Sequence, residues 1–228
     1  AGTATVYTPS ILTAAADRQH LAAGFPVGKR FHSAPVLRFA DARPMHLGHV
    51  IEADARWRLF AFAPAGTPGR SVAAIAGLCD WLAQDPSSPI VRFTPAGEDI
   101  DSVIDVRAVF QQAHRELQAC AMPALLVPRK GALGLRDYEK IFCSDLEHGP
   151  DIFDTRGIDR EAGSIVLVRP DQYVGSVLPL DAREELGRYF EAFMLEAASA
   201  AATPPVRHSR EGGNPVPAFA AGFPLSRE

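Results

Sequence analysis

Residues 164 to 180, SIVLVRPDQYVGSVLPL, contain two apolar runs on either side of a charged turn, Arg169-Pro170-Asp171. Proline fits the second position of a type I turn, and acidic and amide residues fit the positions that follow it. The stretch therefore predicts a β-hairpin in which Arg169 pairs with Asp171 or with an acid on a neighbouring element. We interpret the triplet as a structural turn rather than as an anion site or a catalytic acid.

Outward from this hairpin, hydrophobic patterns typical of strands alternate with patterns typical of helices. Strands are expected within 36–40, 49–64 and 100–110, and the run WRLFAFA at the end of the second indicates a strand that is covered on both faces. Helices are expected over Ser71–Gln84, 111–119 and 135–149, and from Asp181, where Asp181 and Glu184 would form a capping box.

The predicted order of elements is that of an α/β, thioredoxin-like sandwich, in which helices flank a mixed β-sheet and the chain ends in a hairpin and a helix. Residues 34–198 are assigned to this domain. The Gly and Pro spacing of residues 1–33 indicates no packed element, and we interpret them as a linker or remnant of a preceding catalytic region. Residues 199–228 hold five prolines and three glycines without a hydrophobic period, so we expect a disordered low-complexity tail.

Composition excludes several classes of partner. The formal net charge of −4 is mild, and no basic stripe favours nucleic acid or anionic lipid. No apolar run approaches the roughly 20 residues that a membrane helix needs. The N-terminus, AGTATVYTPS, has no initiator methionine and no signal-peptide pattern, so the chain is expected to be cut from inside a longer polypeptide. Three widely spaced cysteines without a C-x-x-C pair favour a reducing, cytoplasmic setting.

Motifs for nucleophilic catalysis, phosphate binding and dinucleotide binding do not occur: there is no G-x-S-x-G, no G-x-x-x-x-G-K-[ST] and no G-x-G-x-x-G. His46 and His49 are three positions apart, which in a strand places them on opposite faces, where they cannot share a metal. Cys79 lies on a helical apolar stripe and is expected in the core. We therefore expect no catalytic, cofactor-binding or metal-binding residue in this chain.

Four segments together carry a resemblance to one enzyme family. They are TVYTPSIL (5–12), LAAGFPVGKRFHSAPVLRFADARPMHLGHV (21–50), DTRGIDREAGS (154–164) and VLVRPDQYVGSVLPL (166–180). The chain resembles the C-terminal domain of class A FAD-dependent aromatic hydroxylases, of the phenol 2-monooxygenase and 3-hydroxybenzoate 4-monooxygenase type. The resemblance covers almost everything but the tail.

The resemblance implies a thioredoxin-like fold that has lost its redox dithiol, packs against a catalytic domain and contributes to a dimer. In that family FAD and NAD(P)H serve a catalytic region whose motifs are absent here, so no catalytic residue can be carried onto this sequence. The chain is then expected to be a non-catalytic assembly domain, a fragment of such an enzyme, with a second copy or an FAD-binding catalytic domain as its partner. Tyr189, Phe190 and Phe193 are candidates for the interface, with the domain's own core as the alternative.

Two enzyme hypotheses remain open beside this one. The first is a small oxidoreductase, or a flavin-dependent monooxygenase subunit that a separately encoded FAD-binding polypeptide completes. The second is a peroxiredoxin-like thiol enzyme on the same fold, with Cys79, Cys120 or Cys143 as the nucleophile. The second hypothesis requires an accessible thiolate with a lowered pKa.

Overall fold

The computed structural model describes residues 4–147 and 149–196. Its strands are β1 (Pro35–Arg38), β2 (Arg43–His46), β3 (Trp57–Phe62), β4 (Ile104–Phe110), β5 (Arg129–Lys130), β6 (Leu135–Arg136), β7 (Ile141–Cys143), β8 (Ser164–Val168) and β9 (Val174–Leu178). Its α-helices are α1 (Pro68–Gln84), α2 (Pro89–Phe93), α3 (Ile152–Thr155) and α4 (Arg183–Glu191). The expected tail, residues 199–228, lies outside the described residues.

Seven of these strands form one mixed sheet in the order β2-β1-β7-β4-β3-β8-β9. Strands β3, β4 and β7 run parallel, whereas β8 is antiparallel to β3 and β9 is antiparallel to β8. The unit β3-α1-β4 followed by β8-β9-α4 gives the order β4-β3-β8-β9, which is the thioredoxin-like core. The predicted fold class is therefore confirmed.

Strand β3 lies at the centre of the sheet, and all six of its residues are buried. Leu59 and Ala61 pack into a core with helices α1, α2 and α4, whereas Phe60 and Phe62 pack into a second, aromatic core on the opposite face. Alternate residues of a strand point to opposite faces, so one continuous apolar run supplies both cores. The predicted strand covered on both faces is confirmed, although it begins at Trp57 and not at 49.

Helix α1 begins at Pro68, three residues before the predicted start at Ser71. The Thr67 side chain accepts a hydrogen bond from the backbone N–H of Arg70, and Pro68 occupies the first turn, where its missing N–H costs nothing. Ile75, Cys79 and Leu82 form the buried stripe, which confirms the core position predicted for Cys79. Helix α1 therefore packs on one face of the sheet, together with α2 and α4.

Residues 135–147 and 149 are not helical, so the prediction of a helix over 135–149 is wrong. Leu135 and Arg136 form strand β6 of a separate two-stranded hairpin with β5, and Ile141–Cys143 form β7 inside the main sheet. Every residue of β7 is buried between strands β1 and β4. A short run that is apolar on both faces fits a central strand better than an amphipathic helix, and its tertiary neighbours decide between the two.

Helix α4 also begins differently from the prediction. It starts at Arg183, and its N-terminal flanking residue is Ala182, which makes no side-chain capping bond. Asp181 lies in the preceding turn, where its backbone carbonyl accepts a bond from the N–H of Arg183. The expected capping box of Asp181 and Glu184 does not form. The expected helix at 111–119 is instead a single 3₁₀ turn, His114–Glu116.

The segment before β1, residues 4–33, is packed against the domain, and the expectation that residues 1–33 hold no packed element is wrong for this part. We call residues 4–33 the N-terminal segment. The N–H of Gly28 donates to the carbonyl of Val174 (2.9 Å), and the N–H of Val174 donates to the carbonyl of Lys29 (2.8 Å). Phe25 and Phe31 are buried in the aromatic core. The segment therefore covers the outer edge of β9 at its first two residues, Val174 and Gly175, and completes the second core.

Candidate functional site

The predicted hairpin is present as β8 and β9, joined by the Arg169-Pro170-Asp171 turn. The N–H of Gln172 donates to the carbonyl of Arg169 (2.9 Å), and the N–H of Arg169 donates to the carbonyl of Tyr173 (2.8 Å). Gln172 has a φ of 70°. A turn followed by one left-handed residue is a common three-residue hairpin loop, and it matches the twist of the two strands.

The guanidinium of Arg169 connects this turn to the N-terminal segment. It donates to both carboxylate oxygens of Asp171, at 3.1 Å and 2.6 Å, and its third nitrogen donates to the hydroxyl of Thr13 at 2.9 Å. It also lies over the ring of Tyr7, 4.6 Å from the centroid. Arg169 is only 9% exposed. Its charge faces groups of the same chain, which fits a structural contact better than an anion site.

A third element reaches the same place through Gly175 and Tyr189. The strand register shifts beside Gly175, and a Cβ at that position would lie 2.3 Å from the Tyr189 hydroxyl oxygen. That hydroxyl donates to the carbonyl of Leu12 at 2.8 Å. Burial raises the pKa of Tyr189 well above its usual range. The hairpin, helix α4 and the N-terminal segment are thus locked together at one point.

The three aromatic residues proposed for an interface pack against Trp57 of the same chain. The ring centroids of Tyr189, Phe190 and Phe193 lie 5.8, 5.3 and 5.1 Å from that of Trp57. Phe190 is fully buried in the domain's own core, which is the alternative that the sequence left open for it. Tyr189 and Phe193 are half-buried against the same core.

Two of the three thiols are unsuited to nucleophilic chemistry. Cys79 in α1 and Cys143 in β7 are buried, and burial raises the pKa of each thiol to about 12. Both stay protonated near neutral pH. Cys120 is exposed in a 3₁₀ turn. Lys140, a basic residue close to Cys143 in sequence, pairs with the buried carboxylates of Asp101 and Asp105 in an ion cluster.

His46 and His49 lie closer together than expected. Strand β2 ends at His46, and a 3₁₀ turn then carries His49 back so that the two rings are 5.6 Å apart. The strand ends at His46, so the separation onto opposite faces that a continuous strand would give does not apply to this pair. Within residues 4–147 and 149–196, no group of three or more His, Cys, Asp or Glu side chains is placed to hold a metal ion.

The ion cluster was not predicted from the sequence. Arg58 of β3 lies 3.0 Å from a carboxylate oxygen of Asp105 in β4. Lys140, just before β7, lies 2.5 Å from Asp105 and 2.5 Å from Asp101. All four residues are at most 1% exposed. The signal available in the sequence was Arg58 and Asp105 themselves, each a charge inside a run that the structure buries on both faces.

Charge balance keeps the buried carboxylates of this cluster ionised. Burial by itself raises the pKa of Asp105, but the nearby cations Arg107 and Lys140 outweigh it and hold that pKa below its usual value. Asp101 behaves in the same way, with Lys140 and Lys130 as its cations. Removing any one member of such a buried network destabilises the fold, because the remaining charges then have fewer partners in a poorly solvated site.

A profile of the family described as phenol hydroxylase, C-terminal dimerisation domain, matches residues 5–198. The 3-hydroxybenzoate 4-monooxygenase of Comamonas testosteroni is 54% identical over 195 residues, which are 85% of this chain and 30% of that protein. The FAD-dependent monooxygenase terD of Aspergillus terreus is 34% identical over 205 residues, which are 88% of this chain and 33% of that protein. The chain thus spans about a third of the length of these curated relatives.

Solved structures similar to this chain include thiol–disulfide proteins. The solution structure of a thiol:disulfide interchange protein from Bacteroides sp. has a TM-score of 0.43 and 11% identity, and it covers 75% of this chain and 91% of that one. The thioredoxin-like assignment itself rests on the strand order. None of the described helices is long and apolar enough to cross a membrane.

Proposed function

The chain belongs to the phenol hydroxylase C-terminal dimerisation domain family, and from this we propose that it is a non-catalytic assembly domain of a cytoplasmic FAD-dependent monooxygenase. The observation that carries the proposal is the family match over residues 5–198 in a chain that spans only 30% of its hydroxybenzoate relative. The substrate of the complete enzyme would be a phenol or a hydroxybenzoate. FAD, reduced by NAD(P)H, would supply the oxygen chemistry in the remaining part of that enzyme.

The geometry of the described residues supports an assembly role. The side chains best suited to binding or catalysis are those of Arg169, Cys79 and Cys143. Each of them is engaged in packing or buried. The N-terminal segment is hydrogen-bonded along β9, so a polypeptide that continued upstream of it would be held close to the domain. We propose that residues 34–198 are the folding core of this assembly domain and that residues 1–33 are its junction with a catalytic region.

The oligomeric state of the purified chain tests this proposal. Sedimentation velocity over a range of concentrations should show a species of twice the chain mass of 24.5 kDa. The same sample, mixed with FAD and desalted, should show no flavin absorption band. A chain that stays monomeric at high micromolar concentration and also fails to bind the catalytic part of a relative would exclude an assembly role. A retained flavin band would mean that the chain itself binds FAD and would support an enzyme function.

The thiol-enzyme hypothesis makes a separate prediction. A peroxiredoxin-like enzyme needs a thiolate near neutral pH, which burial denies to Cys79 and Cys143. Titration with a chromogenic disulfide at pH 7.5 should therefore modify Cys120 and leave the other two thiols unreacted until the chain is unfolded. Rapid, peroxide-sensitive reaction of a buried thiol in the folded chain would support the thiol enzyme.

A further inference from the structure

We propose that the β5–β6 hairpin, with the apolar groove beside it, is the surface on which a second copy of this chain docks. The inference rests on the proposed assembly function and names the surface that performs it. We call this surface the hairpin face and define it by Leu133, Leu135 and Tyr138 together with the groove that Tyr138 borders.

Three large apolar side chains are exposed within six residues of the hairpin face. Leu133 is 84% exposed, Leu135 is 67% exposed and Tyr138 is 52% exposed. Soluble monomers seldom present large apolar side chains in a contiguous group, and such groups mark interaction sites. A second group, which includes Tyr7, lies on the N-terminal segment, but the ring of Tyr7 already packs against Tyr173 and under Arg169.

The groove beside the hairpin can receive an apolar side chain. It is a cavity of about 370 Å³, and its lining includes Phe39, Met122, Val127, Tyr138 and Ile141. Leucine side chains project from the hairpin, and an apolar recess lies next to it on the same chain. A protrusion and a recess on one surface are what an isologous two-fold interface needs, because each copy offers both.

The hairpin is held firmly in place by the buried ion cluster. Lys130 in β5 donates to Asp101 at 2.9 Å, and the N–H of Gly131 donates to Asp99 at 2.9 Å. Asp101 in turn binds the buried Lys140. An isolated two-stranded hairpin is marginally stable in water, so these contacts fix its position before binding. A fixed hairpin loses less conformational entropy when a partner docks.

The charges around the hairpin face are of both signs. Arg129 and Arg136 lie on the hairpin strands, and Asp41 and Glu139 lie beside the groove. All four are exposed, although Asp41 and Glu139 also pair with Arg38 of the same chain, at 2.6 Å and 2.8 Å. A rim that carries both signs can pair with a rotated copy of itself, whereas a rim of one sign would repel a second copy. This self-complementarity selects a second copy of the chain as the occupant.

The edges of the main sheet do not offer an easier route to a dimer. The N-terminal segment covers β9 through bonds to Val174, and at the other edge Pro44 removes one backbone donor from β2. Edge strands protected in these ways resist pairing with another chain. A partner must therefore bind a surface other than an extended edge.

Removal of the apolar side chains is the first test. We expect the triple variant Leu133→Ser, Leu135→Ser, Tyr138→Ser of the full chain to raise the dimer dissociation constant by roughly 100-fold or more. The matched control is Val91→Ser, Leu146→Ser, Leu195→Ser, which removes three exposed apolar side chains elsewhere and should leave the constant unchanged. A hairpin variant that dimerises as tightly as the control would refute the proposal that the hairpin face is the dimer interface. A wild-type chain that is monomeric would also refute the hairpin face, and the assembly function would fail with it only if that chain did not bind the catalytic part of a relative either.

Charge reversal is the second test, and it does not depend on how the first variant folds. One chain carries Arg129→Glu and Arg136→Glu, and the other carries Asp41→Lys and Glu139→Lys. Each alone should dimerise at least 10-fold more weakly than wild type, because positions 41, 129, 136 and 139 then all carry one sign, and an equimolar mixture should form the mixed dimer. Equal dimerisation of the separate and mixed chains would refute the hairpin face, with thermal melting as the check that both are folded.

Discussion

Arg58 and Arg169 are both buried arginines, but one lies in a central strand and the other in a turn at the edge of the sheet. Arg169 lies in a turn at the end of β8, and its carboxylate partner is two residues away. Arg58 lies in the central strand and is paired with Asp105 on the next strand and with Asp54 in the loop before β3. The pairing of Arg169 with Asp171 follows from local sequence, whereas the pairing of Arg58 with Asp105 exists only once the sheet is assembled.

The difference in solvent access decides how much each arginine matters. Arg169 keeps 9% of its surface exposed, so water can reach its partners if it is removed. Arg58 is fully buried, and its removal leaves Asp105 facing fewer cations where water cannot enter. Removing one member of a buried ion pair costs more than the pair itself contributes, because the partner stays desolvated and unpaired. The two arginines should therefore respond differently to the same substitution.

Arg58→Met is expected to have the largest effect. It should lower the free energy of unfolding by about 3 kcal/mol, the low end of the range for a broken buried ion pair, because Arg107 and Lys140 still pair with Asp105. Urea unfolding followed by circular dichroism measures this loss, with Arg92→Met at an exposed ion pair as the matched control that should unfold like wild type. A loss no greater than that of the control would show that the cluster tolerates the removal of one of the three cations around Asp105.

Acidification should act on the same cluster. Asp101 and Asp105 have pKa values lowered below the ordinary value of 3.8, after their cations outweigh the effect of burial. A carboxyl whose pKa is lower in the folded state stabilises the fold above its unfolded-state pKa, and that stability is lost as the pH falls. Urea midpoints should stay level from pH 7 to pH 5 and fall below about pH 4.

The Arg58→Met variant sharpens this test. Asp105 has lost one of its cations in that variant, so its pKa should rise toward the unfolded-state value, and the stability lost between about pH 5 and pH 3 should be smaller than in wild type. Arg169→Met should lose as much stability over this range as wild type does. Equal losses in all three chains would mean that the acid sensitivity comes from carboxylates outside the cluster.

Arg169→Met is expected to have an intermediate and local effect. It removes the paired bonds to Asp171 and the bond to Thr13, with a loss of about 2 kcal/mol for charge-assisted hydrogen bonds. Hydrogen–deuterium exchange should become faster at the amides of Ala14 and Gly28, which pair with β9, before the sheet exchanges. Exchange that speeds up equally across all strands would contradict a local role for Arg169.

Gly175→Ala is expected to have the smallest effect, about 1 kcal/mol of lost stability, because the new methyl group meets the hydroxyl of Tyr189. Tyr189→Phe removes that hydroxyl and also its bond to Leu12. In a double-mutant cycle the combined variant should be more stable than the sum of the two losses predicts. Strict additivity would mean that the backbone at Gly175, and not the contact with Tyr189, causes the loss.

The parts of the fold that the sequence predicts are those fixed by neighbours along the chain. The hairpin at Arg169, the capped helix α1 and the buried strand β3 each depend on short-range pattern, and each is present. Strand β7 was mistaken for a helix because its strand neighbours come from distant parts of the sequence. Only the sheet makes three consecutive apolar residues, Ile141–Cys143, a central strand.

The contacts of the candidate sites also differ in whether they join residues that are near or distant in sequence. The pairing of Arg169 with Asp171 is between near neighbours in sequence and could be foreseen. Its contacts with Tyr7 and Thr13 could not, because nothing near those residues indicates that they return to the hairpin. The ion cluster joins strands whose order is a property of the topology, and a single charge in an apolar run does not say where its partner lies.

The N-terminal segment has a consequence for how the chain folds. Its contacts with the hairpin join positions as far apart as Arg30 and Gln172, 142 residues away, so this segment finds its partners only when almost the whole domain has been synthesised. Closing so long a loop is slow relative to local structure. Until then, the start of β9 has an open outer edge, and Phe25 and Phe31 lack their core. Docking of this segment is thus expected late in folding, and contacts between chains before it docks are where misassembly would begin.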